Sequence, residues 1–231
     1  MRDPLDESRF TGAALARVIA GAEEVEWLLG RGYPLASAVS FVGGRHQLDE
    51  RQRRAIARSV AAAEVAATRR ARALRPEYVA GRALVVDGFN VLVTVEVALG
   101  GGLALVGRDG ALRDLAGMRG SHRVGDLTRR AIALVGARLG ALAPASTSFL
   151  IDAPVSRSGE LASVVRDAAR GWPVAVEVEL ARDVDARVAA GEIAASSDAI
   201  VLDRAARWIP LSRWIVEAEA PNAFVVDFRA A

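Results

Sequence analysis

Apolar residues recur at helical spacing from Phe10 to Leu29 (Leu15, Val18, Ile19, Val25, Leu28, Leu29), which predicts an amphipathic helix with Thr11 as its N-cap. Gly30-Arg31-Gly32-Tyr33-Pro34 ends it. A short helix over residues 34–42 and a turn at Gly43-Gly44 come next, and Asp49 is placed to cap a long helix over residues 50–74 that Arg75-Pro76 closes. From Tyr78 the rhythm changes to short apolar runs separated by helical stretches, the pattern of a parallel α/β sheet. Strands are predicted over 83–86, 147–151, 174–178, 192–195 and 223–227, and helices over 124–142, 159–170, 184–190 and 211–218. Residues 91–109 fit two patterns. Their apolar run has strand propensity and Gly100-Gly101-Gly102 suits a hairpin turn, yet a helix after the first strand is what such folds usually need. The chain thus divides into a small all-helical domain, residues 1–76, and an α/β domain, residues 77–231, with a five-stranded parallel sheet flanked by helices.

The 231 residues are 52% hydrophobic, ample for a sizeable core, and include no cysteine and only two histidines, His46 and His122. Disulfides and thiolate metal sites are excluded, and a zinc cage lacks ligands. The N-terminal Met1-Arg2-Asp3-Pro4-Leu5-Asp6-Glu7 has no apolar signal core, and no apolar run approaches the roughly 18 residues of a membrane span, so a soluble cytoplasmic protein is expected. All 30 basic residues are arginine. Almost nothing but tyrosine titrates between neutrality and arginine, so a net charge of +2 suffices for a high isoelectric point. Distribution says more: residues up to Pro76 carry 13 Arg against 9 acids, and the remainder 17 against 19. The helix predicted from Glu50 concentrates Arg51, Arg53, Arg54 and Arg58 near its start and Arg69, Arg70 and Arg72 near its end. A solvated face and a phosphate-binding face both account for them.

Candidate chemistry collects where the apolar runs stop. In Val86-Asp87-Gly88-Phe89-Asn90, Asp87 ends the first strand; Asp152 ends the second, and Asp198 follows the fourth through Ser196-Ser197. The carboxyl ends of an open parallel sheet line the crevice where its connections diverge, so these acids are expected on one rim. Such a cluster is costly unless a hard cation or raised pKa values neutralise it, and oxygen-only ligation suits Mg²⁺ or Mn²⁺. Asp183 and Asp185, after the third apolar run, are further candidates for a metal shell or for capping the next helix. Gly88 is expected to let the backbone turn off the strand end, and Asn90 to orient the carboxylate or hold a phosphate. Purely structural roles compete, because Asp-Gly is a common turn dipeptide and Asp198 is well placed as an N-cap. Ser156 or Ser158 is expected to cap the helix after Asp152, with Arg157 beside it. The stretch from Arg108 to Arg123 reads as a long, Gly-punctuated loop whose arginines suit a phosphodiester, with His122 as a proton-transfer candidate. There is no Walker loop, no Gly-x-Gly-x-x-Gly after a strand, no Gly-x-Ser-x-Gly and no His-Glu-x-x-His. Nucleotide-driven, Rossmann-type and serine-hydrolase readings therefore lose their main support.

Leu28-Leu29-Gly30-Arg31-Gly32-Tyr33-Pro34, Phe41-Val42-Gly43-Gly44-Arg45 and Gln52-Arg53-Arg54-Ala55-Ile56-Ala57-Arg58 resemble the uncharacterised prokaryotic domain-of-unknown-function family 434. The remainder resembles the domain that commonly accompanies it. The motifs are Val86-Asp87-Gly88-Phe89-Asn90-Val91-Leu92, Asp109-Gly110-Ala111-Leu112-Arg113-Asp114, Asp152-Ala153-Pro154-Val155-Ser156-Arg157-Ser158-Gly159-Glu160-Leu161 and Ala195-Ser196-Ser197-Asp198-Ala199-Ile200. More distantly, Asp-Gly-x-Asn at the first strand and Ser-Asp at the fourth are similar to the PIN and NYN ribonuclease domains, which use clustered acids and divalent metal. That likeness implies a PIN-like sheet and a metal-dependent ribonuclease acting on RNA. It makes Asp87, Asp198 and Asp152 catalytic and metal-ligating acids, Asn90 an auxiliary group, and Asp183 or Asp185 a further ligand. Arg108, Arg113, Arg123 and Arg157, with Ser197, would then position the phosphate. A non-catalytic RNA-binding module of this fold and a small-molecule phosphoesterase are the alternatives from other classes. The sequence sets no oligomeric state.

Overall fold

The computed structural model describes residues 3–116 and 124–229. Five helices come first: α1 (Asp6–Arg9), α2 (Gly12–Leu29), α3 (Leu35–Arg45), α4 (Glu50–Ser59) and α5 (Ala63–Arg72). Then follow β1 (Ala83–Asp87), α6 (Gly88–Leu99), β2 (Ala104–Val106), β3 (Leu112–Asp114), α7 (Asp126–Leu142), β4 (Ser146–Asp152) and α8 (Ser158–Ala169). The chain ends with β5 (Val176–Ala181), α9 (Val184–Ala190), β6 (Ile193–Ala195), α10 (Ala199–Arg204), β7 (Trp208–Ile209), α11 (Leu211–Glu219) and β8 (Val225–Asp227).

Asp49 starts α4 as expected, in a reciprocal capping box with Gln52, and Arg9 also binds its carboxylate. The helix predicted over residues 50–74 is two helices. The backbone goes extended at Val60 (φ −110°, ψ 138°), whose side chain enters the helical core, and α5 restarts three residues later. Ala-rich sequence on both sides conceals that break. Gly43 and Gly44 lie inside α3 rather than in a turn. Thr11 occupies the cap position of α2, but its hydroxyl donates back to the Glu7 carbonyl and caps nothing.

The main sheet is parallel throughout, in the order β5-β4-β1-β6-β7. Alternate residues face opposite ways, as the strand period requires. Leu84, Val86, Phe149, Ile151, Ile193 and Ala195 pack under α6, α7, α8 and α11, while Leu150 and Ala194 meet α9 and α10. The fifth strand is β7, not the predicted 223–227. That C-terminal run is a strand, but it pairs parallel with β2, which pairs antiparallel with β3 in a second, three-stranded sheet. The open segment after β1 is helical: α6 is buried on most sides, so its β-branched residues show no amphipathic period. Leu103, Leu105, Val226 and Phe228 of the small sheet region share one core with Phe10, Val18, Val25, Val42 and Ile56 of the helices. The helical segment and the α/β segment are thus joined through the small sheet. Among the described residues no helix is long and apolar enough to cross a membrane.

Gly88 is needed for close approach rather than for an unusual backbone angle. A Cβ there would lie 2.6 Å from the Phe149 ring and 2.7 Å from the Leu150 carbonyl oxygen. Gly88→Ala is expected to destabilise the protein by about 1–3 kcal/mol, the usual cost of overpacking. Urea denaturation reads it directly, and an unchanged midpoint would mean that β4 moves aside freely.

Candidate functional site

β1 has β4 on one side and β6 on the other, so its carboxyl end is the point where the strand order reverses. Asp87 ends β1, Asp152 ends β4, and Asp198 follows β6 as the first residue before α10. Together with Asp185 of α9, Asp114 of β3 and Asn90 of α6 they line one pocket of about 280 Å³. The three strand-end acids are brought together. Of the two acids after β5 it is Asp185 that lines the pocket; Asp183 does not. Asp114 also ends a strand, β3 of the small sheet, but no apolar run leads up to it in the sequence. It is buried, and its carboxylate accepts from the Thr94 hydroxyl at 3.0 Å and the Ala116 N–H at 2.8 Å.

Hydrogen bonds fix Asp87 and Asp198 in place. Asp87 caps α6 by accepting the Asn90 backbone N–H at 3.2 Å, and its other oxygen accepts the Ser196 hydroxyl at 2.8 Å. Ser196 Oγ in turn accepts the Asp198 N–H at 3.1 Å, and Asp198 caps α10 through the Ile200 N–H at 2.7 Å. Asp198 therefore has both the capping role and a place in the pocket. Asn90 does not orient the Asp87 carboxylate with its side chain. Its Oδ1 accepts the N–H and the hydroxyl of Ser197 at 2.7 and 2.9 Å. Because a backbone N–H can only donate, this bond sets the amide's orientation and leaves the Nδ2 donors to the pocket.

Three of the acids are held above the ordinary carboxylate range. Burial first, then the charges of Asp152 and Asp185, push the Asp87 carboxyl up to about 7 against the hydrogen bonds from Ser196 and Asn90. Burial and Asp185 raise Asp152; burial and Asp198 raise Asp185. Among the described residues no three acids or histidines close on a point where they would cage one ion.

The arginines are distributed differently from expectation. Arg113 is buried, donating to both oxygens of Asp109 at 2.8 and 2.7 Å and to the Ser197 carbonyl at 2.8 Å. Arg69 reaches the same carboxylate at 2.9 Å. Burial alone would raise Asp109, but Arg113 and then Arg69 hold it down to about 2. Arg108 is buried 3.4 Å from Glu26. Residues 108–114 are therefore a buried turn and strand, not an open phosphate-gripping loop. Arg157 is exposed at the start of α8 in a left-handed conformation, 3.5 Å from Glu160 and outside the pocket. Ser158 donates to the Ala153 carbonyl, and no serine caps α8. Arg123 and His122 lie outside the described residues.

The arginines of the predicted long helix are also mostly committed. Arg69, Arg70 and Arg72 bind Asp109, Asp203 and the carbonyls of Arg108, Asp203 and Ala205. These bonds tie α5 to the α/β segment, and Arg70 stays exposed. Arg51 pairs with the buried Asp6, and Arg53 with the Leu48 carbonyl. Arg54 and Arg58 line the acidic pocket. Sequence reasoning placed them on a candidate phosphate face but had no means of bringing that face to the strand ends.

Residues 17–72 match the family described as protein of unknown function DUF434, and residues 76–214 the family described as domain of unknown function DUF5616. The chain is also 27% identical over 181 residues to an uncharacterized protein of Methanocaldococcus jannaschii, a match that covers 78% of this chain and 86% of that protein. No solved structure matches it. Asp87, Asp114, Asp152, Asp185 and Asp198 fall within the second matched segment and Arg54 and Arg58 within the first, so both contribute to one pocket. On this evidence the chain belongs to the DUF5616 family, with a DUF434 segment in front of it.

Proposed function

We propose that this protein is a metal-dependent ribonuclease of the cytoplasm, hydrolysing phosphodiester bonds at the pocket beyond β1. The observation that carries the reading is the convergence of Asp87, Asp152, Asp185 and Asp198 on the point of strand-order reversal, with the carboxyl of Asp87 driven up by burial and then by the charges of Asp152 and Asp185. The likeness of Asp87-Gly88-Phe89-Asn90 and Ser197-Asp198 to PIN and NYN motifs supports RNA as the substrate.

The donor set fits Mg²⁺ or Mn²⁺, since every candidate ligand is a hard carboxylate oxygen. Mg²⁺ keeps several waters and takes one or two carboxylates plus phosphate oxygens rather than an all-protein cage. Acids that share a pocket without meeting at one point suit that habit. Asp87 and Asp198 would hold the ion, with Asp152 and Asp185 reaching it directly or through water. When bound it would supply an activated water and neutralise charge on the scissile phosphate. The protein's own groups do the positioning: Ser197 locks the amide of Asn90, whose Nδ2 donors are free to bond a phosphate oxygen, and Thr94 holds Asp114 at the rim.

The test is incubation of the full chain with an end-labelled single-stranded oligoribonucleotide. Cleavage with Mg²⁺ or Mn²⁺ that chelator stops is the expected result. RNA retained but uncut would instead identify a binding module, and turnover of small phosphate esters alone a phosphoesterase.

A further inference from the structure

α4 sets two arginines into the acidic pocket. Arg54 and Arg58 are one turn apart on one face of the helix, and both are exposed. The rest of α4 is committed to other work: Gln52, Ala55, Ile56 and Ser59 are buried, and Arg51 and Arg53 have partners on the helical side. Among the described residues Arg54 makes one long hydrogen bond, 3.3 Å to the Leu115 carbonyl. Neither arginine forms an ion pair among the described residues, although five carboxylates line the same pocket. Elsewhere in the molecule arginines close on nearby acids, as Arg69, Arg113, Arg187 and Arg229 do at 2.9 Å or less. The two walls of the pocket carry opposite charge and stop short of each other. A group that fits such a gap is anionic toward the arginines and shares a cation with the acids, which describes a phosphodiester.

We propose that Arg54 and Arg58 are the phosphate-binding wall of this site, holding non-bridging oxygens of the scissile phosphate. The helical segment then completes the substrate site that the α/β segment begins; this rests on the ribonuclease reading for the acidic wall. The guanidinium fork suits bidentate contact with a phosphate. The arginines are also preorganised, because α4 is fixed at both ends. Its start is held by the Asp49 capping box and the Arg51–Asp6 pair. Its end is held by the Ser59 carbonyl, which accepts the Arg108 N–H at 2.8 Å, and Ile56 anchors its middle in the core beside Leu103 and Leu105.

Inorganic phosphate is the probe. With Mg²⁺ present and ionic strength held constant, phosphate is expected to raise the melting temperature of the full chain. Arg54→Gln/Arg58→Gln should lose most of that shift, and Arg129→Gln/Arg130→Gln on α7, with the same change in charge, should keep it. Phosphate that stabilises the Arg54/Arg58 variant as much as the parent, or that fails to stabilise the parent, overturns the proposal. In turnover, the variant should lose about 100-fold in kcat/KM, the loss typical of removing a donor to the reacting group. The loss should be equal for the oligoribonucleotide and for bis(p-nitrophenyl) phosphate. A loss confined to the polymer would put the arginines on distant backbone and overturn the assignment. If the parent cuts nothing, the ribonuclease reading fails, and the phosphate shift alone decides the arginine wall.

Discussion

Asp109→Ala is expected to cost about 3–5 kcal/mol of stability, because breaking a buried ion pair from one side leaves its partner charged and unpaired. Here Arg113 would be stranded, while Arg69 would keep Asp203. Arg113 gives its two terminal nitrogens to Asp109, and Arg69 reaches it from α5. The damage should extend to the pocket, since Nε of Arg113 holds the carbonyl of Ser197, the residue before Asp198. Denaturant unfolding at neutral pH measures the loss. A change under about 1 kcal/mol would mean that water screens the cluster and that it contributes little. The acid limb gives an independent check. Asp109 sits at about 2 in the folded chain, below its unfolded value of about 3.9, so its stabilisation is present above pH 4 and is lost as pH falls toward 2. The variant should show a flatter decline there.

Asp87→Asn has the opposite sign. At about 7, the folded carboxyl lies above its unfolded value, so the folded state binds the extra proton between about pH 4 and 7. In chelator, stability of the parent should therefore fall as pH rises through that window, by up to about 1.4 kcal/mol per unit. An asparagine of the same shape keeps the Asn90 N–H bond, and the Ser196 hydroxyl can turn to accept from its Nδ2. The slope should shrink, leaving the smaller share of Asp152 and Asp185, and in chelator near pH 8 the variant should be the more stable protein. Mg²⁺ should stabilise the parent and barely affect the variant, since a ligand stabilises only a state that binds it. Cleavage of RNA should be lost. A variant less stable than the parent in chelator at pH 8 would make Asp87 a structural turn residue.

The rim of the site was legible because it obeys one local rule: an apolar run ends in an acid. Asp87, Asp152 and Asp198 each follow it, and the structure collects all three. What sequence reading missed depends on pairing across the chain. β7 is two residues long, too short to show alternation, so the fifth place in the sheet went to residues 223–227, whose pattern marks a strand without naming its partner. The run from Val91 to Val97 looks extended because α6 is buried nearly all round, and its β-branched residues carry no helical stripe. Arg113 reads as a ligand-gripping arginine because nothing local reveals that it is buried against Asp109 and the Ser197 carbonyl. Arg54 and Arg58 were visible as a pair on one helix face, but their neighbours across the pocket come from strands far along the chain.

Whether these carboxylates bind a divalent cation is read from direct titration of Mn²⁺ into the metal-free full chain. Calorimetry or the loss of the free-ion electron paramagnetic resonance signal reports the binding. Saturable binding by the parent, abolished in both Asp87→Asn and Asp198→Asn, is the expected result. No binding by the parent, or equal binding by parent and variants, would contradict it.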